Sequence, residues 1–328
     1  MHIEEFTVED AATIRKVTGL QNAIDRFDSP WTHPATVTAV TGRMRHGWDG
    51  EPPRCLVARD DDRVVGSANF WIGEWDNTDL AWLDIGVHAQ HRRRGVGSAL
   101  MAALLDLTEE TGRSKLGIDC WDSETGIGFA VAHGFEQKSV GIQRRQFLRD
   151  VDRGAVQKMY DEAQEAATAY ELVRVTGRTP DDLLDQVAEM TAAINDAPLD
   201  DLDIEDEQFP PERVRNYEEA TIAKGLRLYR LVARHRKSGD LAGHTVVAVE
   251  SERPHLGEQH DTSVIRAHRG HRLGLLLKAG MVLWLDEVEP QLETVDTWNA
   301  ESNDHMIAVN NRLGYRILGR GLQFQRAL

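Results

Sequence analysis

The sequence predicts an α/β chain made of two copies of one fold in tandem, and three observations lead there. One segment matches another segment of the same chain without a gap. The order of strands and helices read from the first half recurs in the second. Each half also carries a strand, a short basic turn and an apolar-striped helix in immediate succession. At about 150 residues per domain, the 328 residues suffice for two domains, and a hydrophobic content of 41% supplies each with a core.

Residues 84–124 fall on residues 261–301 when the chain is shifted by 177 positions. Asp84 meets Asp261, Val87 meets Val264, Arg92 meets Arg269, Gly97 meets Gly274, Asp119 meets Asp296 and Trp121 meets Trp298. Matches in one order at one spacing, with a rare tryptophan among them, mark a repeated structural unit. The expected division is a first domain over 1–149, a polar linker helix over 150–169 and a second domain over 170–328.

In the first half, alternation predicts strands over Ile3–Val8, Arg54–Arg59, Val64–Gly73 and Leu80–His88. Val96, Leu100, Ala103, Leu104 and Leu107 share one face of a helix over Gly95–Gly112. A strand at Lys115–Trp121, a short helix at Gly126–His133 and closing strands over Phe135–Phe147 follow. The second half repeats this order. Strands are predicted over Glu171–Thr176, Arg227–Ala233, Leu241–Glu250, Thr262–Ala267, Leu292–Trp298 and Tyr315–Arg326. Helices are predicted over Thr179–Ala193, Leu273–Val288 and Asn303–Leu313.

Composition narrows the function. A formal net charge of -16 disfavours a nucleic-acid partner, which needs a basic surface, and suits a cationic small molecule such as an amine. Cys55 and Cys120 stand far apart, which fits neither a disulfide scaffold nor a metal site and points to a reducing cytoplasm. The acidic N-terminus lacks the apolar core of a signal peptide, and no run of about 18 apolar residues predicts a membrane span.

The chemistry-bearing segment is Arg92-Arg93-Arg94-Gly95-Val96-Gly97-Ser98, between a strand and a helix. Backbone N–H groups at a helix start, with the helix dipole and arginine charge, form an anion site suited to a pyrophosphate. A glycine turn alone is equally compatible with a plain structural turn. The spacing Arg-x-x-Gly-x-Gly is neither the dinucleotide-binding nor the P-loop pattern. DIGVHAQHRRRGVGSALMAALL resembles the signature of the GNAT acyltransferase superfamily, and FAVAHGF resembles its helix-to-strand closure. The resemblance implies in each copy a mixed, mostly antiparallel sheet with helices on both faces. It also implies acetyl-CoA as acyl donor, with no metal. Residues 92–98 would hold the pyrophosphate, and Ile85, Gly86 and Val87 would pair with the pantetheine arm.

The second copy, DTSVIRAHRGHRLGLLLKAGMVLWL, departs from the signature because Arg272 replaces the first glycine, while Arg269 and Gly274 remain. Arg272 either obstructs the backbone's approach to the phosphate or adds a contact to it. The implied binding set here is Val264, Ile265, Arg266, Arg269, His271, Arg272, Leu273, Gly274 and Leu275. TWNAESNDHMIAVNNRLGY is similar to the C-terminal copy of tandem acyltransferases of the mycothiol synthase type. That makes Asn299, Asn303 and Asn310 candidates for bonds to the arm or the acceptor, or alternatively helix caps and turn residues.

Acyl transfer to an amine by direct attack needs a base, a polarised carbonyl and a stabilised thiolate. Base candidates on or beside the central strands are Glu250, Glu258, His260 and Asp261 in the second half, with Glu74 and Asp84 in the first. Strand alternation sets His260 and Asp261 on opposite faces. The tyrosine that serves many superfamily members as acid is absent; Ala130 and Asn310 stand in its place. Cys120 lies in an apolar strand with no histidine beside it and reads as core. The expected activity is acetyl transfer from acetyl-CoA to a small amine, and the alternative is an inactive CoA-binding or interaction module. The resemblance of TWNAESN and the following LGY to the working half of tandem enzymes implies catalysis in the second copy, with the first retaining CoA binding. The intact loop of the first copy supports the alternative that catalysis sits there. A tandem chain resembles a covalent pair of one-copy enzymes, so a monomer is preferred to a homodimer.

Overall fold

A computed structural model describes residues 1–328. The chain forms two compact units, and their boundary is not where the linker was expected. The first unit comprises residues 1–141, 200–205 and 319–328. The second comprises 142–199 and 206–318.

In the first unit, β1 (His2–Phe6) leads to α1 (Ala11–Asp28) and α2 (Val37–His46). Then come β2 (Arg54–Asp60), β3 (Arg63–Ile72), β4 (Leu80–Val87), α3 (Val96–Glu110), β5 (Lys115–Trp121) and α4 (Glu124–Ala132). The strand β6 (Glu136–Phe147) starts in this unit and ends in the second. Asp10 caps α1 through the Thr13 N–H, Thr36 caps α2 and Ser123 caps α4, each satisfying a donor that a helix start leaves open. Strands run in the order β1-β2-β3-β4-β5-β12, antiparallel except for the parallel pair β4–β5. Leu56, Phe70, Leu83, Leu100, Leu104, Leu116, Ile118 and Phe324 build the core between this sheet and α3.

The second unit repeats the order. It contains α5 (Arg153–Ala166), β7 (Tyr170–Thr176), α6 (Asp181–Thr191), α7 (Pro211–Ala223), β8 (Leu226–His235) and β9 (Leu241–Glu250). After these come β10 (Leu256–Val264), α8 (Leu273–Val288), β11 (Thr294–Ala300), α9 (Asp304–Arg312) and the start of β12 (Tyr315–Ala327). Its strands run β6-β11-β10-β9-β8-β7. Both units therefore have the mixed, mostly antiparallel sheet that the sequence implied.

Two expectations need adjustment. The polar segment 150–169 is not a free-standing linker. Its apolar stripe buries Val156 and Ala163 in the second unit's core, with Met159 and Tyr160 packed against it. The last strand is also shared out along its length. Residues 321–327 of β12 pair with Trp121–Lys115 of β5, so the chain's final residues complete the first unit's sheet. Likewise Arg145, near the end of β6, chelates Asp296 of β11 in the second unit at 2.6 and 2.7 Å.

A fragment ending at residue 149 would lack the strand that covers β5, leaving Leu116 and Ile118 without Leu322 and Phe324. We expect such a fragment to be insoluble or to lack a cooperative thermal transition by circular dichroism. Full-length protein should unfold cooperatively.

Candidate active site

The site is built where two parallel strands part. β4 pairs with β5 from Leu80–Lys115 to Leu83–Ile118 and no further. Asp84 through Val87 remain bonded to β3, but their other edge is open. In the second unit, β10 pairs with β11 only from Leu256–Thr294 to Glu258–Asp296. An open strand edge offers N–H and C=O groups to an extended amide-bearing ligand. Ile85, Gly86 and Val87 lie on this edge as expected. Their counterparts in the second unit are Thr262, Ser263 and Val264. Ile265 and Arg266 lie past the strand. Ile265 donates its N–H to the Ala242 carbonyl, and Arg266 pairs with Asp196 at 2.5 Å.

The loop after each strand is fixed by one arginine. Arg92 Nε donates to the Val87 carbonyl at 3.0 Å, and its two terminal nitrogens chelate Asp28 at 2.9 and 2.5 Å. Arg269 Nε donates to the Val264 carbonyl at 3.0 Å, and Nη2 to Asp196 at 2.6 Å. These arginines hold the loop and are occupied. Arg93, Arg94, His271 and Arg272 are exposed, and no carboxylate pairs with any of them. The starts of α3 and α8 carry no side-chain cap, so the N–H groups of Val96, Gly97, Ser98, Leu273, Gly274 and Leu275 face outward unfilled. The Val96, Leu273 and Leu275 side chains are buried, so these residues have only backbone to offer a ligand. Gly97 fits tightly under α4, since a Cβ there would lie 2.9 Å from the Phe129 ring.

Arg272 does not change the backbone path. Each loop has two left-handed positions: Arg93 (φ 59°) and Gly95 (φ 82°) in the first, Gly270 (φ 86°) and Arg272 (φ 55°) in the second. Glycine and arginine have exchanged places between copies, and each copy carries one non-glycine residue in a conformation that costs about 1 kcal/mol. Arg93→Gly and Arg272→Gly should each raise stability by roughly 0.5–1 kcal/mol in urea unfolding, whereas Gly95→Ala and Gly270→Ala should lower it by about 1 kcal/mol.

On the α1 side of the first unit's sheet, the residues next to the parting are polar and aromatic. Alternation without a bulge places Trp82, Asp84 and Gly86 of β4 on this face, beside Asn69 and Trp71 of β3. Asp119 and Trp121 of β5 continue it, opposite Gln323 and Gly321 of β12. Asn69 Nδ2 donates to Asp84 at 2.9 Å, and Trp82 Nε1 to Asp119 at 2.6 Å. Trp82 lies flat on Gly117, where a Cβ would be 2.2 Å from the ring. Trp31 meets Trp121 edge-on at 5.3 Å over Gly319. From α1, Ile24 reaches Gly86, where a Cβ would lie 2.8 Å from its Cδ1. Burial and the neighbouring Asp84 and Asp28 push the Asp25 carboxyl up to about 6. Burial likewise raises Asp119, against the bond from Trp82. Of the first-half base candidates, Asp84 is in this group, while Glu74 is exposed beyond the end of β3.

The second unit uses its expected residues differently. Glu250 chelates Arg253 at 2.7 and 2.8 Å, which occupies its carboxylate. A register shift between Gln259 and Thr262 puts a bulge at His260-Asp261, so simple alternation does not govern them. His260 Nδ1 shares a 2.5 Å hydrogen bond with the Tyr217 hydroxyl, and its Nε2 lies 3.8 Å from Glu258. Burial raises the Asp261 carboxyl above its usual range. Asn303 caps α9 through the Met306 N–H at 3.2 Å, a structural use of its side chain. Asn310 is fully buried and donates to Asn299 Oδ1 at 2.6 Å, leaving its own Oδ1 without a partner. Asp296 is neutralised by Arg145, in contrast with Asp119. The acidic run 196–207 is mostly bound up as well. Asp196 holds Arg266 and Arg269, Asp200 accepts from Ser139 at 2.6 Å, and Asp203 meets Lys115 at 2.8 Å. No group of three or more His, Cys, Asp or Glu converges to hold a metal ion.

Beneath α9 the core itself is altered. Lys278 stands where the first copy has Met101. It is 3% exposed, with its ammonium 4.9 Å from the Tyr315 ring centre, and burial pushes its pKa down to about 7. The unfolded lysine stays charged to about pH 10.4, so the folded state binds fewer protons between pH 7 and that value. Stability should therefore rise with pH across this window, and the penalty is complete below pH 7. Lys278→Met should flatten that rise and add about 3–5 kcal/mol at pH 7, read by urea unfolding at pH 7 and pH 9.5.

Two copies of a sheet that parts beside an uncapped helix start define the class as a tandem α/β protein. Residues 20–135 match the Acetyltransferase (GNAT) family. They form a GNAT domain, and the whole chain has the tandem GNAT fold. The chain is similar to a tandem GNAT protein from the clavulanic acid biosynthesis pathway, at 26% identity and a TM-score of 0.83, covering 99% of this chain and 98% of that one. It is 35% identical over 157 residues to a mycothiol acetyltransferase of Stackebrandtia nassauensis, covering 46% of this chain and 49% of the relative. It is 32% identical over 148 residues to that of a Parafrankia species, covering 44% and 42%. The chain thus spans about half the length of the curated relatives it matches. A GCN5-related N-acetyltransferase of Sphaerobacter thermophilus shares the fold at 15% identity and a TM-score of 0.67, over 99% of this chain and 95% of that one.

Sequence reasoning missed Asp25, Asn69 and the Trp82–Asp119 pair. Asp25 lies on a helix whose position over the sheet only packing decides. The repeat match of Asp119 with Asp296 marked that position without separating a free carboxylate from a paired one.

Proposed function

We propose that the protein is an N-acetyltransferase that moves the acetyl group of acetyl-CoA to the amine of a small cationic acceptor. The observation that carries this reading is the conjunction, in the first unit, of an open strand edge, an uncapped helix start with free arginines, and an acidic, aromatic face at the parting. The pyrophosphate would rest on the amides of residues 93–98, with Arg93 and Arg94 supplying charge. The pantetheine amides would pair with Ile85–Val87. The donor supplies the activated thioester. The amine attacks its carbonyl carbon, a C–N bond forms, the C–S bond breaks and the CoA thiol leaves. The carboxylates of the face would attract an ammonium group. The names of the mycothiol acetyltransferase relatives agree with a small-molecule acceptor. The second loop keeps the same backbone and would bind a second CoA.

The test is calorimetric titration with acetyl-CoA, followed by thiol-release assays with a panel of alkyl amines, polyamines, aromatic amines and amino sugars. We expect binding with a stoichiometry near two and amine-dependent CoA release. Binding without release from any amine favours the inactive module, and no binding at all removes the acetyltransferase reading.

A further inference from the structure

The α1 face of the first unit contains one carboxylate that the binding of CoA does not require. Asp25 opens the last turn of α1, next to Ile24, which lies over Gly86 in the open part of β4. Its Oδ2 is buried and accepts no hydrogen bond. Among the buried side-chain atoms that lack partners, it is the one carboxylate oxygen. The carboxylates near it are committed elsewhere. Asp28, one turn on, is chelated by Arg92. Arg43 of α2 draws the Asp25 pKa down but donates to Gln21 at 3.3 Å, not to Asp25. Asp84 of β4 is held by Asn69 at the first position where β4 has left β5.

An unpartnered carboxylate in this place has a physical consequence. Burial and the like charges of Asp84 and Asp28 oppose its ionisation, which raises its pKa to about 6. A proton acceptor works best when its own pKa lies near the working pH. In the second unit Asp296 is neutralised by Arg145 and Glu250 by Arg253, and the buried Asp261 lies in a bulge of β10.

We propose that Asp25 is the general base of acetyl transfer in the first unit, with Asp84 as the residue that positions and tunes it. This rests on the acetyltransferase reading above. The acceptor arrives as an ammonium ion. Asp25 takes one proton and frees the nitrogen lone pair, which attacks the thioester carbonyl carbon. As the tetrahedral intermediate collapses, the C–S bond breaks with its electron pair on sulfur, and the second nitrogen proton ends on the thiolate. Asp25 returns its proton to solvent, so the products are the amide, the CoA thiol and one proton. The first copy is thereby the one that turns over.

The experiment uses the full chain and the amine of the panel that gives the fastest CoA release. The pH dependence of kcat/KM is measured for the unaltered protein and for Asp25→Asn, Asp25→Glu and Asp84→Asn, alongside calorimetric acetyl-CoA binding and heat stability. We expect Asp25→Asn to lose roughly 100-fold or more in kcat while binding acetyl-CoA normally and melting no lower. Its profile should lack the limb near pH 6, and Asp25→Glu should recover part of the rate. Asp84→Asn should move the limb to lower pH. An active parent whose Asp25→Asn variant keeps both rate and limb overturns the proposal. Should that variant not fold, an unmoved limb in Asp84→Asn overturns it, and a limb at lower pH supports it. A parent that releases no CoA with any amine removes the acetyltransferase reading itself, a distinct failure.

Discussion

In each unit a guanidinium reaches back from the loop to the last carbonyl of the strand it follows. Where β4 or β10 leaves its parallel neighbour and turns toward a helix, that carbonyl would otherwise lose its partner. Arg92 and Arg269 bond it at the same 3.0 Å, and each also holds an aspartate, Asp28 at the end of α1 and Asp196 just after α6. Hydrogen bonds to charged groups of this kind contribute about 1.5–3 kcal/mol each. More important is what they hold in place. The loop, the unfilled amides at the start of α3 or α8, and the open strand edge take their mutual positions from this contact. In the first unit the same arginine also ties down the end of α1, and with it the turn that carries Asp25.

On this shared frame the two copies have diverged in chemistry while keeping the backbone. The left-handed positions of the loop persist although glycine and arginine have traded places. The core beneath the short helix is Met101, Ala130 and Phe135 in the first unit. Lys278, Asn310 and Tyr315 stand in the same places of the second, where a buried lysine and an unpartnered amide oxygen replace apolar contacts. Near the parting the contrast runs the other way. Asp119 accepts from a tryptophan N–H and pairs with no cation, whereas Asp296 is chelated. Equivalent positions therefore have different tasks, and the repeat alone does not say which copy does the chemistry.

The division of the chain shows why sequence position misleads about domain limits. The last residues pair with β5, and residues 200–205 are anchored through Ser139, Lys115 and Asn77. The acidic run 196–207 is mainly a strap held by these partners. Strand pairing joins residues far apart in sequence whenever hydrophobic faces and register agree. A polar stretch such as 150–169 is drawn into a core by a few apolar positions at helical spacing, here Val156 and Ala163.

The repeat, the order of elements, the strand–loop–helix motif and most limits of α3 and α8 were legible in the sequence, because they rest on local periodicity and on glycine at turns. That Ile85–Val87 form a strand end and residues 92–98 a loop into a helix was legible for the same reason: strand, turn and helix start are contiguous. The neighbourhood of Asp25 and Asp84 was not legible, because their charges influence each other only once α1 is laid across the open strand. Nor were the bulge at His260-Asp261 and the pairings of Glu250 with Arg253 and Asp296 with Arg145, which depend on what the folded chain brings opposite each group. The sequence by itself determined which backbone would be exposed at the helix starts. Only the tertiary structure decided which carboxylates are neutralised and which are left to accept a proton, since a carboxylate's partners and its burial are properties of the packed chain.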